Sequence, residues 1–199
     1  MVKSESKLKK SKKIGILGGA FDPIHMGHLL LAEYALGEFE LDRVVFLPYN
    51  ISVSKEPPQA SSQDRLNMLK LATMDNPSLS VSDIEIKRGG ISFSYETLRT
   101  FKKEEPKDET SFLIGSDAFS ELKSWKNYKS LIGMTRFIVA VRPGTKVKSI
   151  KGAKYDRLLI PQIAISSSSL RNRAESGFSL RYLVPDKVRD YIVNFRLYR

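Results

Sequence analysis

Short apolar runs alternate with segments of helical periodicity along most of this chain, and this alternation constrains the fold more than any other feature. The strand-like runs are Lys13–Leu17, Arg43–Pro48, Leu79–Ile86, Phe112–Ile114, Arg136–Val141 and Arg157–Ile160. The helix-like segments are Met26–Phe39, a stretch from Ser61 or Ser62 to just before Asn76, Ser94–Lys103, Ser168–Ser176 and Pro185–Phe195. Because alternating strands and helices form parallel sheets with right-handed crossovers, we predict a single-domain α/β fold. Its open parallel sheet should carry helices on both faces.

The composition fits one globular domain and removes several functional classes. A chain of 199 residues is long enough for one buried α/β core. The absence of Cys excludes disulfides, thiolate metal sites and Cys nucleophiles, and it is compatible with a reducing cytoplasm. No apolar run approaches the roughly 20 residues that span a bilayer, and the N-terminus lacks the apolar core of a secretion signal. We therefore expect a cytoplasmic protein without a membrane partner.

The net charge of +11 leaves the kind of partner open. Such an excess is found both in nucleic-acid-binding surfaces and in proteins that bind small anions. Part of it lies in residues 1–13, which hold six Lys and one Glu, and the remainder is scattered. Charge runs of this kind are usually solvated tails. The sequence therefore predicts a disordered basic tail at residues 1–12 and one domain at residues 13–199.

The first candidate motif, GGAFDPIHMGH at residues 18–28, lies between the first strand and the first helix. Ligands of open parallel sheets bind beyond the C-terminal ends of the strands, so a site is expected here. Gly18 and Gly19 let the backbone approach a phosphate, and Gly27 leaves room for a ligand. His25 and His28 are the only histidines and share one helix face, where N–H groups and the helix dipole favour an anion. Taken alone, the pair could instead cap the helix, and a zinc site is less favoured because a third ligand is lacking.

The second candidate motif, ISSSSLR at residues 165–171, follows a predicted strand and opens a helix. Hydroxyl and N–H groups at a helix N-terminus bind phosphate, and Arg171 adds a planar charged fork. A Ser run before a helix is by itself more often a simple N-cap. The presence of the first motif makes the phosphate interpretation the better one.

These two motifs resemble the signatures of the HxGH nucleotidyltransferase superfamily. The resemblance implies a Rossmann-like fold, ATP as substrate, and His25 and His28 as catalytic contacts to its phosphates. Ser168 and Leu170 replace the Thr and Ile of the family's ISSTxIR motif. Ser167, Ser168 and Arg171 would hold the β- and γ-phosphates, with Arg171 also catalytic. The ATP-binding residues that the resemblance implies are Gly18, Gly19, Phe21, Asp22, His25, His28, Gly115, Asp117, Arg142, Ser167, Ser168 and Arg171.

The middle of the chain resembles bacterial nicotinate-nucleotide adenylyltransferases in particular. The segment IGSDAFSELKSW at residues 114–125 is similar to their IGxDxxxxLxxW pattern. This similarity implies contacts from Gly115 and Asp117 to the ribose or adenosine hydroxyls. It also implies that Trp125 stacks on the pyridine ring, although a lone Trp is more often a core residue. SFSYETL at residues 92–98 stands where the family has SYTxDTL, which places Ser94 in the nicotinate pocket. Lys55 matches a Lys that lies near the phosphates in the family, which implies a substrate-binding role, and Arg142-Pro143-Gly144 resembles the family's RPG turn.

The resemblance implies transfer of AMP from ATP to nicotinate mononucleotide, with nicotinate adenine dinucleotide and pyrophosphate as products. No protein nucleophile is needed, and Mg²⁺ carried mainly by the ATP phosphates is the expected cofactor, with no metal-ligating residues. The alternative that the enzyme uses nicotinamide mononucleotide or another phosphorylated acceptor remains open. A basic nucleic-acid-binding module is the more distant alternative, because it leaves both motifs unexplained. The sequence leaves the oligomeric state open, a homo-oligomer included.

Overall fold

Six parallel strands form the one sheet of the computed structural model, which describes residues 11–52, 56–141, 144, 147–161 and 163–199. The strands are β1 (Lys13–Gly19), β2 (Arg43–Pro48), β3 (Leu79–Val81), β4 (Glu109–Gly115), β5 (Arg136–Val141) and β6 (Tyr155–Leu159). Their order is β3-β2-β1-β4-β5-β6, so the chain reverses its direction of winding between β1 and β4. This is the topology of a doubly wound Rossmann-like sheet, and it confirms the predicted fold class.

Eight α-helices of the described residues connect or flank these strands. They are α1 (Met26–Glu38), α2 (Ser62–Thr73), α3 (Ile84–Arg88), α4 (Ser94–Glu104), α5 (Ser116–Ser120), α6 (Tyr128–Met134), α7 (Ser167–Glu175) and α8 (Asp186–Asn194). A 3₁₀ turn at Leu122–Ser124 lies between α5 and α6. None of the helices in the described part of the chain is long and apolar enough to cross a membrane.

Side chains that alternate along the central strands supply two separate hydrophobic cores, one on each face of the sheet. Val44 and Phe46 of β2 pack with α1, α2, α7 and α8, whereas Val45 and Leu47 pack with α4, α5 and α6. All four side chains are almost completely buried. Strands buried on both faces read as continuous apolar runs, which is why β2 and β5 have the bounds that the sequence predicts.

One predicted strand is wrong in its second half. Leu79–Ile86 alternates polar and apolar residues, but only Leu79–Val81 pairs with β2, and the chain then turns into α3. There the Thr97 hydroxyl of α4 donates a hydrogen bond of 2.6 Å to the buried carboxylate of Glu85. This tertiary contact outweighs the local alternation, which by itself favours a strand. The short helices α5 and α6 were not predicted.

Residues 11 and 12, the last two of the predicted basic tail, contact the folded domain. The Ser11 hydroxyl donates a hydrogen bond to the Lys107 carbonyl, and the Lys12 N–H donates one to the Asp108 carboxylate. Both residues are thus attached to the turn before β4. Residues 1–10 of the predicted tail lie outside the described residues, so disorder there stays a prediction.

Candidate active site

The turn from β1 into α1 brings the two histidines together at the C-terminal edge of the sheet. His25 is the N-cap of α1, and its ring stacks on that of His28 with a centroid separation of 3.7 Å. Phe21 lies beneath them in the core and contacts the His28 ring edge-on at 5.0 Å. The spacing of HxGH at a helix start therefore produces a stacked imidazole pair, as the shared helix face predicts.

Both imidazoles are held neutral by their surroundings. Burial lowers the pKa of His25 to about 4. Desolvation lowers the pKa of His28 as well, with a smaller contribution from the charge of His25, and the residue is half-buried. The His25 backbone N–H donates a hydrogen bond of 3.3 Å to Nδ1 of His28. Since Nδ1 then accepts, the proton of neutral His28 is on Nε2, which makes that atom a hydrogen-bond donor.

The glycines of this turn make room for protein rings. A Cβ added at Gly27 would lie 3.1 Å from Nδ1 of His25, and one added at Gly19 would lie 3.0 Å from the Phe21 ring. In the direction of a Cβ, Gly27 therefore makes room for the imidazole of His25, and room for a ligand there stays a prediction. Glycine at these positions allows the close ring packing that orders the turn.

The second motif lies directly against the first. The Ser167 hydroxyl at the start of α7 donates a hydrogen bond of 2.9 Å to the Pro23 carbonyl. Arg171, one turn later, donates one of 2.9 Å from Nη1 to the Asp22 carbonyl. Ser168 is exposed beside them, and its hydroxyl is 3.1 Å from that of Ser166. The structure thus joins two segments that are about 140 residues apart in sequence, and it uses the Ser167 hydroxyl for this contact.

The strand next to β1 brings two more predicted residues to the same edge. β4 pairs with β1 so that Leu17 lies opposite Leu113, and Gly115 therefore ends β4 at the level of Gly19. Gly115 and the exposed Asp117 follow at the start of α5. This is the point at which the strand order reverses, where open α/β sheets bind nucleotides.

Two of the predicted acceptor residues, Ser94 and Trp125, lie in segments that contact each other through Lys126. Ser94 is the first residue of α4, and Trp125 is half-buried with an edge-on contact to Phe112 at 6.2 Å. Lys126 connects the two segments, because its Nζ lies 3.2 Å from the Glu96 carboxylate and 3.8 Å from the centre of the Phe93 ring. Trp125 is therefore placed between the core and solvent, as a stacking platform requires. Lys55 and Arg142 lie outside the described residues.

A buried carboxylate, Asp22, connects four parts of the site. It is 2% exposed and accepts hydrogen bonds from the Gln59 N–H at 2.8 Å, the Ala60 N–H at 3.1 Å and the Tyr198 hydroxyl at 2.8 Å. Nη1 of Arg171 lies 3.7 Å from the same carboxylate. The first motif predicts Asp22 as a site residue, but nothing in the sequence indicates its partner Tyr198.

Sequence reasoning also missed Arg65, a buried cation of α2. It is 1% exposed, and its guanidinium donates to the Ala20 carbonyl at 2.8 Å and to the Asn50 carbonyl at 3.5 Å. Arg65 thereby connects the loops that follow β1 and β2. One sequence feature could have indicated Arg65. It is a charged residue next to Leu66, on the apolar face of a predicted helix, where a charge is unusual.

Two cavities border the described residues, and neither contains the histidine pair. The larger of the two, about 410 Å³, is lined by residues of α7, of α8 and of the turn at residues 177–180. The smaller, about 210 Å³, is lined by Arg65 and by residues 50–52, 57–58 and 60–62. The predicted residues are instead arranged along an open edge of the sheet. Among the described residues, no three His, Asp or Glu side chains are grouped to hold a metal ion.

Comparison with known proteins identifies the family of this chain. The model of the cytidylyltransferase-like family matches residues 16–173, a range that includes both phosphate motifs. The fold agrees: nicotinic acid mononucleotide adenylyltransferase of Plasmodium falciparum, solved in complex with NaAD, superposes with a TM-score of 0.78 at 23% identity. That comparison covers 94% of this chain and 97% of the other.

Curated relatives show to which group within this family the chain belongs. Proteins of Desulfitobacterium hafniense and Dictyoglomus thermophilum, both named "Probable nicotinate-nucleotide adenylyltransferase", are 40% and 42% identical to this chain. The matches cover 94% of this chain and 96% and 99% of those proteins. The chain therefore belongs to the nicotinate-nucleotide adenylyltransferases of the cytidylyltransferase-like family.

Proposed function

We propose that this enzyme transfers the adenylyl group of ATP to the 5′-phosphate of nicotinate mononucleotide, giving nicotinate adenine dinucleotide and pyrophosphate for NAD biosynthesis. The observation that carries the proposal is the junction of the two phosphate motifs. Ser167 and Arg171 contact Asp22 and Pro23, immediately before the stacked histidines. A triphosphate bound at this junction can therefore contact both motifs at once.

The chemistry needs positioned donors and no protein nucleophile. A phosphate oxygen of the acceptor attacks the α-phosphorus of ATP, and the bond from this phosphorus to the bridging oxygen breaks. Pyrophosphate leaves with the electron pair. Nε2–H of neutral His28 can donate to the phosphate oxygens as their negative charge grows, in the manner of an oxyanion-hole donor. Arg171, fixed by the Asp22 carbonyl, supplies a permanent positive charge beside the leaving group.

The donor set suits phosphate, and Mg²⁺ is proposed as the companion of ATP. The grouped donors of the site are N–H groups, hydroxyls and guanidinium groups, which bind anions, and the metal would be held mainly by the phosphates and water. When bound, the ion would neutralise charge on the triphosphate. We also propose that the enzyme works in the cytoplasm.

Pyrophosphate release from ATP tests the proposal directly. The enzyme is assayed with nicotinate mononucleotide, nicotinamide mononucleotide and phosphopantetheine at equal concentrations, with kcat/KM as the readout. We expect the highest value with nicotinate mononucleotide. A higher value with either other acceptor would replace the proposed substrate, and no release with any of them would refute adenylyl transfer.

A further inference from the structure

The last residues of the chain reach back into the phosphate site through Tyr198. Its ring packs in the core beside α8 and is 7% exposed, and its hydroxyl meets the Asp22 carboxylate at 2.8 Å. The backbone of Tyr198 has φ +61°, and that of Arg196 has φ +51°. Non-glycine residues adopt this left-handed conformation rarely, because it carries a local backbone cost. The tertiary contacts of this segment, the bond to Asp22 among them, therefore outweigh a local backbone cost.

The hydroxyl of Tyr198 is a permanent donor at this position. Burial and the neighbouring Asp22 charge raise the pKa of Tyr198 well above its usual value, so the phenol stays protonated. Its bond goes to Oδ1 of Asp22, which also accepts the Ala60 N–H, while Oδ2 accepts the Gln59 N–H. These three donors fix the orientation of the carboxylate.

The orientation matters because Arg171 lies next to this carboxylate. Its Nη1 donates to the Asp22 carbonyl at 2.9 Å but lies 3.7 Å from Oδ2, beyond hydrogen-bond distance. Without the Tyr198 hydroxyl, only the Gln59 and Ala60 N–H groups hold the carboxylate, and it can shift towards the guanidinium and pair with it directly. Arg171 would then be held by Asp22, and less of its charge would be available to a bound anion.

We propose that Tyr198 is a positioning residue for the phosphate site: its hydroxyl fixes the Asp22 carboxylate and so keeps the Arg171 guanidinium available to the ATP triphosphate. This inference rests on the proposed adenylyl transfer and assigns to the C-terminal segment a part in ATP binding. Tyr198 does not itself touch substrate in this scheme, because it acts through Asp22.

Tyr198→Phe tests the inference, since it removes the hydroxyl and keeps the buried ring. Tyr191→Phe is the matched control, because the Tyr191 hydroxyl donates a similar bond of 2.9 Å to Asp64, a residue outside the phosphate site. The Kd of ATP without acceptor is measured by calorimetry for both variants, together with KM for each substrate and the unfolding midpoint. For Tyr198→Phe we expect the Kd and KM of ATP to rise about tenfold, the effect of one bond to a charged group. The KM of nicotinate mononucleotide should stay within twofold, and Tyr191→Phe should leave all three constants within twofold.

A double-mutant cycle with Asp22→Asn identifies the route of the effect. If Tyr198 acts through the Asp22 charge, adding Tyr198→Phe to Asp22→Asn changes the Kd of ATP by less than twofold. The inference is overturned if the two tyrosine variants bind ATP alike, or if the effects of Tyr198→Phe and Asp22→Asn simply multiply. The proposed function fails in a different way, namely when the wild-type enzyme binds ATP and releases no pyrophosphate with any acceptor.

Discussion

The buried histidine at the start of α1 should make the stability of this protein strongly pH-dependent. His25 is 6% exposed, and burial lowers its pKa from 6.5 to about 4. The unfolded chain therefore binds a proton at this position more readily than the folded protein does. The stability contributed by neutral His25 is fully present above pH 6.5 and is lost as the pH falls from 6.5 towards 4.

The size of this effect follows from the two pKa values. The full shift corresponds to about 3 kcal/mol, because each pKa unit is worth about 1.4 kcal/mol. At pH 5 the folded form is still mostly neutral at His25 while the unfolded form is mostly protonated. About 2 kcal/mol of the free energy of unfolding should therefore be lost between pH 7.5 and pH 5 through this residue alone.

Urea unfolding of the wild type and of His25→Gln at pH 7.5 and pH 5 isolates the contribution. The carboxylates and other titrating groups contribute in both proteins, so they largely cancel when the pH-dependent losses are compared. We expect His25→Gln to lose about 2 kcal/mol less than the wild type over this interval. Equal losses in the two proteins would refute the assignment of a buried neutral imidazole, whatever the substitution does to stability at pH 7.5.

Three further substitutions test the site and its support. His28→Ala should lower kcat for pyrophosphate release by about 10²–10³-fold with a much smaller change in ATP affinity, because it removes one donor to the developing charge; wild-type turnover would defeat the role. Trp125→Ala should mainly raise the KM of the pyridine mononucleotide in the same assay, and an unchanged KM would make Trp125 a core residue. Leu69→Ala, at a fully buried position of α2, should lower the free energy of unfolding by about 2–5 kcal/mol in urea, and a loss below 1 kcal/mol would contradict tight packing there.

Much of this fold can be predicted from the sequence because the sheet is parallel and buried on both faces. The runs RVVFLP and RFIVAV are continuous apolar segments, and their strands β2 and β5 have the predicted bounds. Local pattern is least informative at the edge of the sheet. Leu79–Ile86 alternates like a strand, but the contact of Glu85 with Thr97 favours a helix in its second half. That contact joins residues of two different helices, so the local periodicity of the sequence does not indicate it.

The candidate site likewise contains residues that the sequence predicts and residues that it does not. His25, His28 and Arg171 could be predicted because phosphate chemistry requires particular residue types beside a strand end or a helix start. Tyr198 could not, because no local pattern relates a tyrosine near the end of the chain to an aspartate 176 positions earlier. Its position depends on how α8 and the following turn pack against the sheet. Residues that support a site from a distance are therefore the part that sequence reasoning misses.

The charges around Asp22 explain how the phosphate site can attract a triphosphate although several of its charged groups are buried. The Arg65 and Arg171 guanidinium groups each carry a positive charge, and the Asp22 carboxylate, 3.7 Å from Arg171, offsets one of them. Tyr198 stays neutral because its pKa is raised, and His25 stays neutral because its pKa is lowered. These five groups together therefore carry one net positive charge at neutral pH, small enough to be tolerated in a largely buried place. A triphosphate carries more negative charge than this can balance, so we expect the N-termini of α1 and α7 and the proposed divalent cation to supply the remainder.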